Sequence, residues 1–322
     1  WQQPLRERLE LEDVYGVSVC RPLQHPLQEG WIVFSADRYI LAWDWQSLRR
    51  RVLAGHHNPV QAMAFTDNGS TLFSTDGIDF IEWNGSNWRL QLRAERRFVG
   101  AGKERERRSI WHMTVLGDRL LVTAEGPLLS DDGGAGDTHV LRVWDPGLQF
   151  KMLTEFILKL DEALHARPVQ LLALPGTFSV VAVTTCSVIS FRHERGLATH
   201  NDRTVVVDSA NAANDTERNS CLARGWYVQS AADDEFIGAM VGLGNSILIL
   251  SAHGVLLAVD MLKGNVVGRE VLSPDRSSYY TACHLSGRLL SVGEISGGMS
   301  VFRLAQRKLL LLFRMVTGPF AQ

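Results

Sequence analysis

The stretch "GHHNPVQAMAFTDNGSTLFSTDGIDFIEWN", residues 55–84, sets a Gly-His pair at one end and a Trp near the other. Between them lie three short runs, "QAMAF" 61–65, "TLFST" 71–75 and "FIEWN" 80–84, made of apolar, aromatic and β-branched residues. "TDNG" separates the first two, and Asp76-Gly77 separates the second from the third. Clusters of Asp, Asn and Gly between such runs are turn chemistry, and runs this short with no 3.6-residue period are strands. The stretch therefore predicts consecutive strands joined by tight turns.

Outside it, helical periodicity is nearly absent and the same kind of run recurs. Examples are "WIVFSA" 31–36, "YILAWDW" 39–45, "RLLVTAE" 119–125, "HVLRVWD" 139–145, "SVVAVTT" 179–185, "SILILSA" 246–252, "VLLAVDM" 255–261, "RLLSVGE" 288–294 and "MSVFRL" 299–304. Their order repeats: a strand ending at a Gly-containing turn, a second rich in small residues, a third closing on a bulky residue and often Asp, then a more polar fourth. The first strands begin near 14, 60, 110, 168, 235 and 279, at intervals of 46, 50, 58, 67 and 44 residues. Four strands repeating at this spacing are the mark of a propeller blade.

Residues 55–84 resemble a WD40 repeat nearly end to end: Gly55-His56, a strand to Phe65, the "TDNG" turn, a second strand, Asp76-Gly77, and Trp83-Asn84 where the family has Trp-Asp. Trp43-Asp44 and Trp144-Asp145 are further Trp-Asp pairs, and Val259-Asp260, "VISFRH" 188–193 and "VFRL" 301–304 are weaker echoes. The resemblance implies an all-β WD40-like propeller, one domain over 1–322. Six four-stranded blades are expected, with seven as the alternative because the long segment 194–234 has room for a distorted one. It also implies a structural blade network in which His56, or His57 beside it, meets Ser74 and Asp76, while Ser74 meets the Trp83 indole. As a catalytic triad, His, Ser and Asp would need an exposed nucleophile, and nothing like a nucleophile elbow surrounds Ser74.

Composition narrows function. The chain has 322 residues, 45% of them hydrophobic, with 33 basic against 35 acidic. A net charge this close to zero supplies no general field toward nucleic acid or a membrane. Cys20, Cys186, Cys221 and Cys283 lie far apart with no CxxC, so neither a zinc site nor a disulfide framework is expected and a reducing compartment fits. The ten His form no HExxH, and no metal or cofactor is expected. No run of 18 apolar residues points to membrane insertion. The opening "WQQPLRERLELED" is too charged for a signal peptide, and the absence of an initial Met leaves open a preceding segment.

Departures from the repeat fall in loops. Residues 93–109, "RAERRFVGAGKERERRS", join the second and third blades and carry Arg93, Arg96, Arg97, Lys103, Arg105, Arg107 and Arg108 against three Glu. Arg forks carboxylates and phosphates bidentately, so Arg96, Arg97, Lys103, Arg105, Arg107 and Arg108 are the candidate partner-binding residues. "GPLLSDDGGAGDTH" 126–139 lacks the spacing of an EF-hand loop. Within 194–234, "RTVVVDS" 203–209 reads as an outer blade strand, and Trp226-Tyr227 as a packed pair, with exposed anchors as the alternative. The family resemblance implies a non-catalytic scaffold or adaptor whose partners are other protein subunits of an intracellular complex, in cytoplasm or nucleus. The alternative is a reader of nucleic acid or of phosphorylated or acidic ligands through 93–109.

Overall fold

In a computed structural model, the described residues are 22–96, 108–117, 119–127, 139–158, 168–195, 220–231, 234–242, 244–272, 278–305 and 308–315. They form six four-stranded sheets, each built from strands consecutive in sequence. The architecture is an all-β, six-bladed β-propeller.

The first blade is β1 (Leu23–Gln24), β2 (Trp31–Ala36), β3 (Tyr39–Asp44) and β4 (Arg49–Ala54). The second is β5 (Ala62–Phe65), β6 (Thr71–Thr75), β7 (Asp79–Asn84) and β8 (Leu90–Glu95). The third is β9 (Arg108–Leu116), β10 (Leu120–Pro127), β11 (His139–Asp145) and β12 (Lys151–Leu158). The fourth is β13 (Pro168–Leu174), β14 (Ser179–Thr184), β15 (Ser187–Arg195) and β16 (Ser220–Gln229). The fifth is β17 (Phe236–Val241), β18 (Ser246–Ser251), β19 (Val255–Asp260) and β20 (Val266–Val271). The sixth is β21 (Tyr280–Ser286), β22 (Leu289–Glu294), β23 (Met299–Ala305) and β24 (Lys308–Met315).

Packing divides the chain into two compact units. One comprises Trp1–Lys159, Pro175–Thr177 and Glu194–Leu222, and the other Leu160–Leu174, Phe178–His193 and Ala223–Gln322. In the first unit, Val33, Ile40, Leu53, Leu72, Ile81 and Trp83 fill the space between the first and second blades. Ala62, Phe73, Phe80, Ile110, Leu121, Trp144 and Phe150 fill that between the second and third. Phe80 stacks on Phe150 with centroids 5.0 Å apart and meets Trp144 edge-on at 5.2 Å. In the second unit, Val181, Val183, Phe236, Ile247 and Ile249 join the fourth and fifth blades, and Leu250, Leu256, Tyr280, Leu290 and Phe302 the fifth and sixth. Middle strands are apolar because both their faces are covered, whereas outer strands such as β4, β8 and β20 are mostly exposed.

The turns explain the punctuation in the sequence. Gly69 in "TDNG" and Gly77 after Asp76 have φ of 62° and 88°, a region that disfavours a Cβ. In the first, second, third and fifth blades the acidic or amide residue closing the third strand caps the turn that follows. Asp44 accepts from the Gln46 N–H at 3.0 Å, Asn84 from Ser86 and Asn87 at 2.9 and 3.0 Å, Asp145 from Gly147 at 2.9 Å, and Asp260 from Leu262 and Lys263 at 3.0 and 2.7 Å. These Asx turns are why the family pattern ends its third strand in Asp.

Two boundaries differ from the sequence expectation. The first described strand is Leu23–Gln24, and residue 14 lies outside the described residues. The outer strand of the fourth blade is Ser220–Gln229, inside the segment read as a long loop, whereas 203–209 lies outside the described residues. Gly225 hides this strand by interrupting its apolar pattern. The position needs glycine because a Cβ there would sit 2.4 Å from the Ser190 hydroxyl, to which the Trp226 N–H donates at 2.9 Å. Trp226 is half-buried with its indole donating to the Met261 carbonyl at 2.9 Å, and Tyr227 beside it is exposed.

Candidate functional site

In the second blade, the end of β4 leads into His56, β6 carries Ser74, the following turn carries Asp76, and β7 carries Trp83. His56 Nε2 lies 2.7 Å from Ser74 Oγ, and the Trp83 indole N–H donates to the same oxygen at 2.8 Å. Ser74 Oγ accepts from Trp83 and has one hydrogen of its own, so donating that hydrogen to His56 Nε2 satisfies it. The ring hydrogen is then on Nδ1, which faces Asp76 Oδ2 at 3.6 Å, a charge–dipole contact longer than a hydrogen bond. Asp76 also accepts the N–H of Asn58 at 3.2 Å, Ile78 at 3.0 Å and Asp79 at 2.9 Å. Burial pushes its carboxyl up, but the His56 contact and these amides outweigh burial and hold it well below the ordinary carboxylate value. His57, the alternative to His56, is exposed and gives only its backbone N–H to Asp76, at 3.3 Å.

A depressed carboxyl contributes stability above its unfolded value, and that contribution is lost as pH falls toward the folded value. Asp76→Asn is therefore expected to be less stable than the parent at pH 7, with the gap narrowing as pH falls below the ordinary 3.8. Denaturant midpoints across pH check this, and a gap independent of pH would show that the charge contributes nothing.

No protein-family model and no curated protein sequence matches the chain. Solved structures do. U3-55K aligns with a TM-score of 0.58 at 14% identity over 93% of this chain and 81% of its own. The RRP9 WD40 repeats align with a TM-score of 0.58 at 14% identity over 94% and 81%. The β-propeller domain of Cps50 (Swd1) from Myceliophteria thermophila aligns with a TM-score of 0.58 at 12% identity over 94% and 87%. The fold is that of a WD40 β-propeller.

Within this WD40 fold, the third blade repeats the second with different residues. The Trp144 indole donates to Thr123 Oγ1 at 2.9 Å, and that hydroxyl donates to Glu125 at 2.8 Å. Thr123 thus stands where Ser74 stands, and Glu125 where Asp76 stands. In place of the histidine is Arg96, directly after β8, with Nη1 3.1 Å from Glu125 and its guanidinium 5.7 Å from the Trp144 ring centroid. Arg142 of β11 also donates to Glu125, and through Nε to Glu155 at 2.7 Å. Burial draws the Arg96 guanidinium below its ordinary value, and Glu125 raises it part of the way back. In the sixth blade Glu294 takes the same strand-end position and receives Arg314 at 2.9 Å from β24.

The structure thus brings His56, Ser74, Asp76 and Trp83 together. Ser74 is wholly buried, its hydroxyl held between His56 and Trp83, so no substrate carbonyl reaches it. Of the expected partner-binding residues, Arg96 is buried and engaged inside the fold. Arg108 starts β9 and is half-buried, and Arg97, Lys103, Arg105 and Arg107 lie outside the described residues. Among the described residues there is no group of three His, Cys, Asp or Glu able to hold a metal, and no helix is long and apolar enough to cross a membrane.

Sequence reasoning missed the Thr123–Glu125–Arg96 arrangement. Ser74 precedes its Trp by 9 residues, but Thr123 precedes Trp144 by 21, because residues between β10 and β11 lengthen the connection. Counting back 9 residues from Trp144 therefore falls short of Thr123. The usable signal was "VTAE" against "FSTD": a hydroxyl residue, a small residue, then an acid at the end of the second strand.

Proposed function

We propose that the chain, acting as one propeller domain, is a non-catalytic scaffold or adaptor subunit that holds other proteins in an intracellular complex. The observation that carries this is where the reactive-looking groups point. Ser74, His56, Asp76, Thr123, Glu125, Arg96 and Arg142 are all buried and answer one another, so each satisfies a polar group of the blade. The fold likeness to solved WD40 propellers supports a rigid platform by analogy.

A second function, reading phosphorylated or acidic ligands, rests on the basic residues of 93–109 other than Arg96, which is engaged inside the fold. Arg105, Arg107 and Arg108 changed together to Ala are expected to weaken an acidic partner, and denaturant midpoints of parent and variant separate that loss from any cost of removing half-buried Arg108. The weakening should shrink as salt rises, because exposed charges are screened over about 8–10 Å at physiological ionic strength. A salt titration of phosphopeptide and RNA binding by parent and triple variant separates the two functions. Unchanged recovery of every native partner by the variant removes the loop from the interface. Binding of RNA with a steep salt slope, and of no protein, would overturn the scaffold.

A further inference from the structure

The outer strand of the first blade, β4, reads "RRRVLA", with Arg49, Arg50, Arg51 and Val52 all exposed, alternately on its two faces. It is paired on one side only, with β3, and among the described residues no strand meets its other edge. The pairing to β3 is regular from Asp44↔Arg49 to Tyr39↔Ala54. That regularity sets it apart from β8, β12, β20 and β24, each of which carries a register shift against its third strand. Such bulges twist an edge and blunt it as a pairing template.

Side chains around β4 do not simply repel. Arg49 stands opposite Asp44, whose carboxylate is already engaged by the backbone N–H groups of Gln46 and Ser47. Among the described residues, Arg50 and Arg51 have no ion-pair partner. Apolar surface is interleaved with the charge: Trp45, Leu48 and Val52 are 47%, 50% and 51% exposed. A free ladder of N–H and C=O groups, cations on both faces and apolar side chains between them fit one kind of occupant.

We propose that the β4 edge is a docking site for an extended, acidic segment of a partner protein, which adds as a fifth strand to the first blade. Arg50 and Arg51 point to opposite faces of the strand, so carboxylates alternating on one face of the segment meet Arg51, while its apolar residues lie on the other face against Val52 and the Arg50 stem. A polypeptide is favoured over nucleic acid because only a polypeptide pairs with the free backbone ladder, and the chain's near-neutral balance supplies no polyanion-binding field. The inference rests on the scaffold function and names one surface through which it works.

The test uses the full chain and a fluorescent synthetic peptide alternating Glu and Val. Anisotropy should show binding, and hydrogen exchange should show β4 amides that exchange fast in the free protein and slowly with peptide. N-methylation of alternate peptide amides should abolish binding to the parent protein, an outcome that does not depend on how any variant folds. Arg50→Glu with Arg51→Glu should weaken the Glu-Val peptide by at least about tenfold and admit a Lys-Val peptide, as charge reversal across an interface requires. The proposal fails if the N-methylated peptide binds as well as the parent peptide, or if the charge reversal changes nothing. It fails equally if an RNA oligonucleotide binds β4 as well as the peptide does. Slow β4 exchange in the free monomer would assign the edge to the chain's own residues, and slowing that grows with protein concentration would assign it to a second copy; either overturns the proposal. Native subunits that co-purify with the double variant as with the parent would sink this surface and leave the scaffold standing. Absence of any co-purifying subunit, with the peptide results as expected, would do the reverse.

Discussion

Glu125→Ala is expected to destabilise the protein by about 3–5 kcal/mol, the range for removing one partner of a buried ion pair. Glu125 is 1% exposed and lies between two buried guanidiniums, Arg96 from the end of the second blade and Arg142 from β11. Glu155, half-buried, reaches only Arg142. Truncating Glu125 takes away the carboxylate 3.1 Å from the buried Arg96 guanidinium and removes the acceptor of the Thr123 hydroxyl. Replacing Arg96 by Met and Glu125 by Leu together should recover much of the loss, because apolar substitution of both partners removes the stranded charge. Denaturant unfolding of the two variants decides the point. A Glu125→Ala protein within about 1 kcal/mol of the parent would place the cluster in water rather than between blades.

Trp83→Ala is expected to cost about 3–5 kcal/mol, the usual range for emptying a buried Trp site. Its ring is 2% exposed and packs with Val33, Ile40, Leu53 and Ile81, so it joins the first blade to the second as well as holding Ser74. Trp83→Phe keeps most of the ring and loses the indole donor, so about 1–2 kcal/mol is expected. His56→Ala should cost about 1–3 kcal/mol, from a buried hydroxyl left with one partner fewer. If Trp83→Phe equalled Trp83→Ala, the hydrogen bond to Ser74 would be carrying the effect and the packing would not. Unchanged unfolding in both His56→Ala and Trp83→Ala would show that the network contributes nothing.

Fold was legible where local chemistry and burial agree. "TLFST" and "FIEWN" fall on β6 and β7 because their apolar residues face the neighbouring blades and Asp76-Gly77 supplies the turn. Six sheets follow the six expected repeats for the same reason. Legibility failed at β16, where Gly225 is demanded by the closeness of Ser190, a contact 35 residues away that no local pattern records. It failed again at Arg96. Inside a run of arginines its charge looked like surface, yet its position directly after β8 puts it where the second blade has His56. Glu125 is its cause, and the pairing spans 29 residues of sequence.

Under the proposed function, the buried polar networks build the blades and the protein acts by holding partners. The most direct measurement is the native mass of the protein isolated from its own cells under gentle conditions, with the bound chains identified. A scaffold is expected to run as a species heavier than one chain by whole subunits in fixed ratio, with the same subunits at the same ratio when Ser74→Ala, folded at the measuring temperature, replaces the parent. A species of one chain's mass, with an activity that Ser74→Ala abolishes while the fold persists, would contradict it.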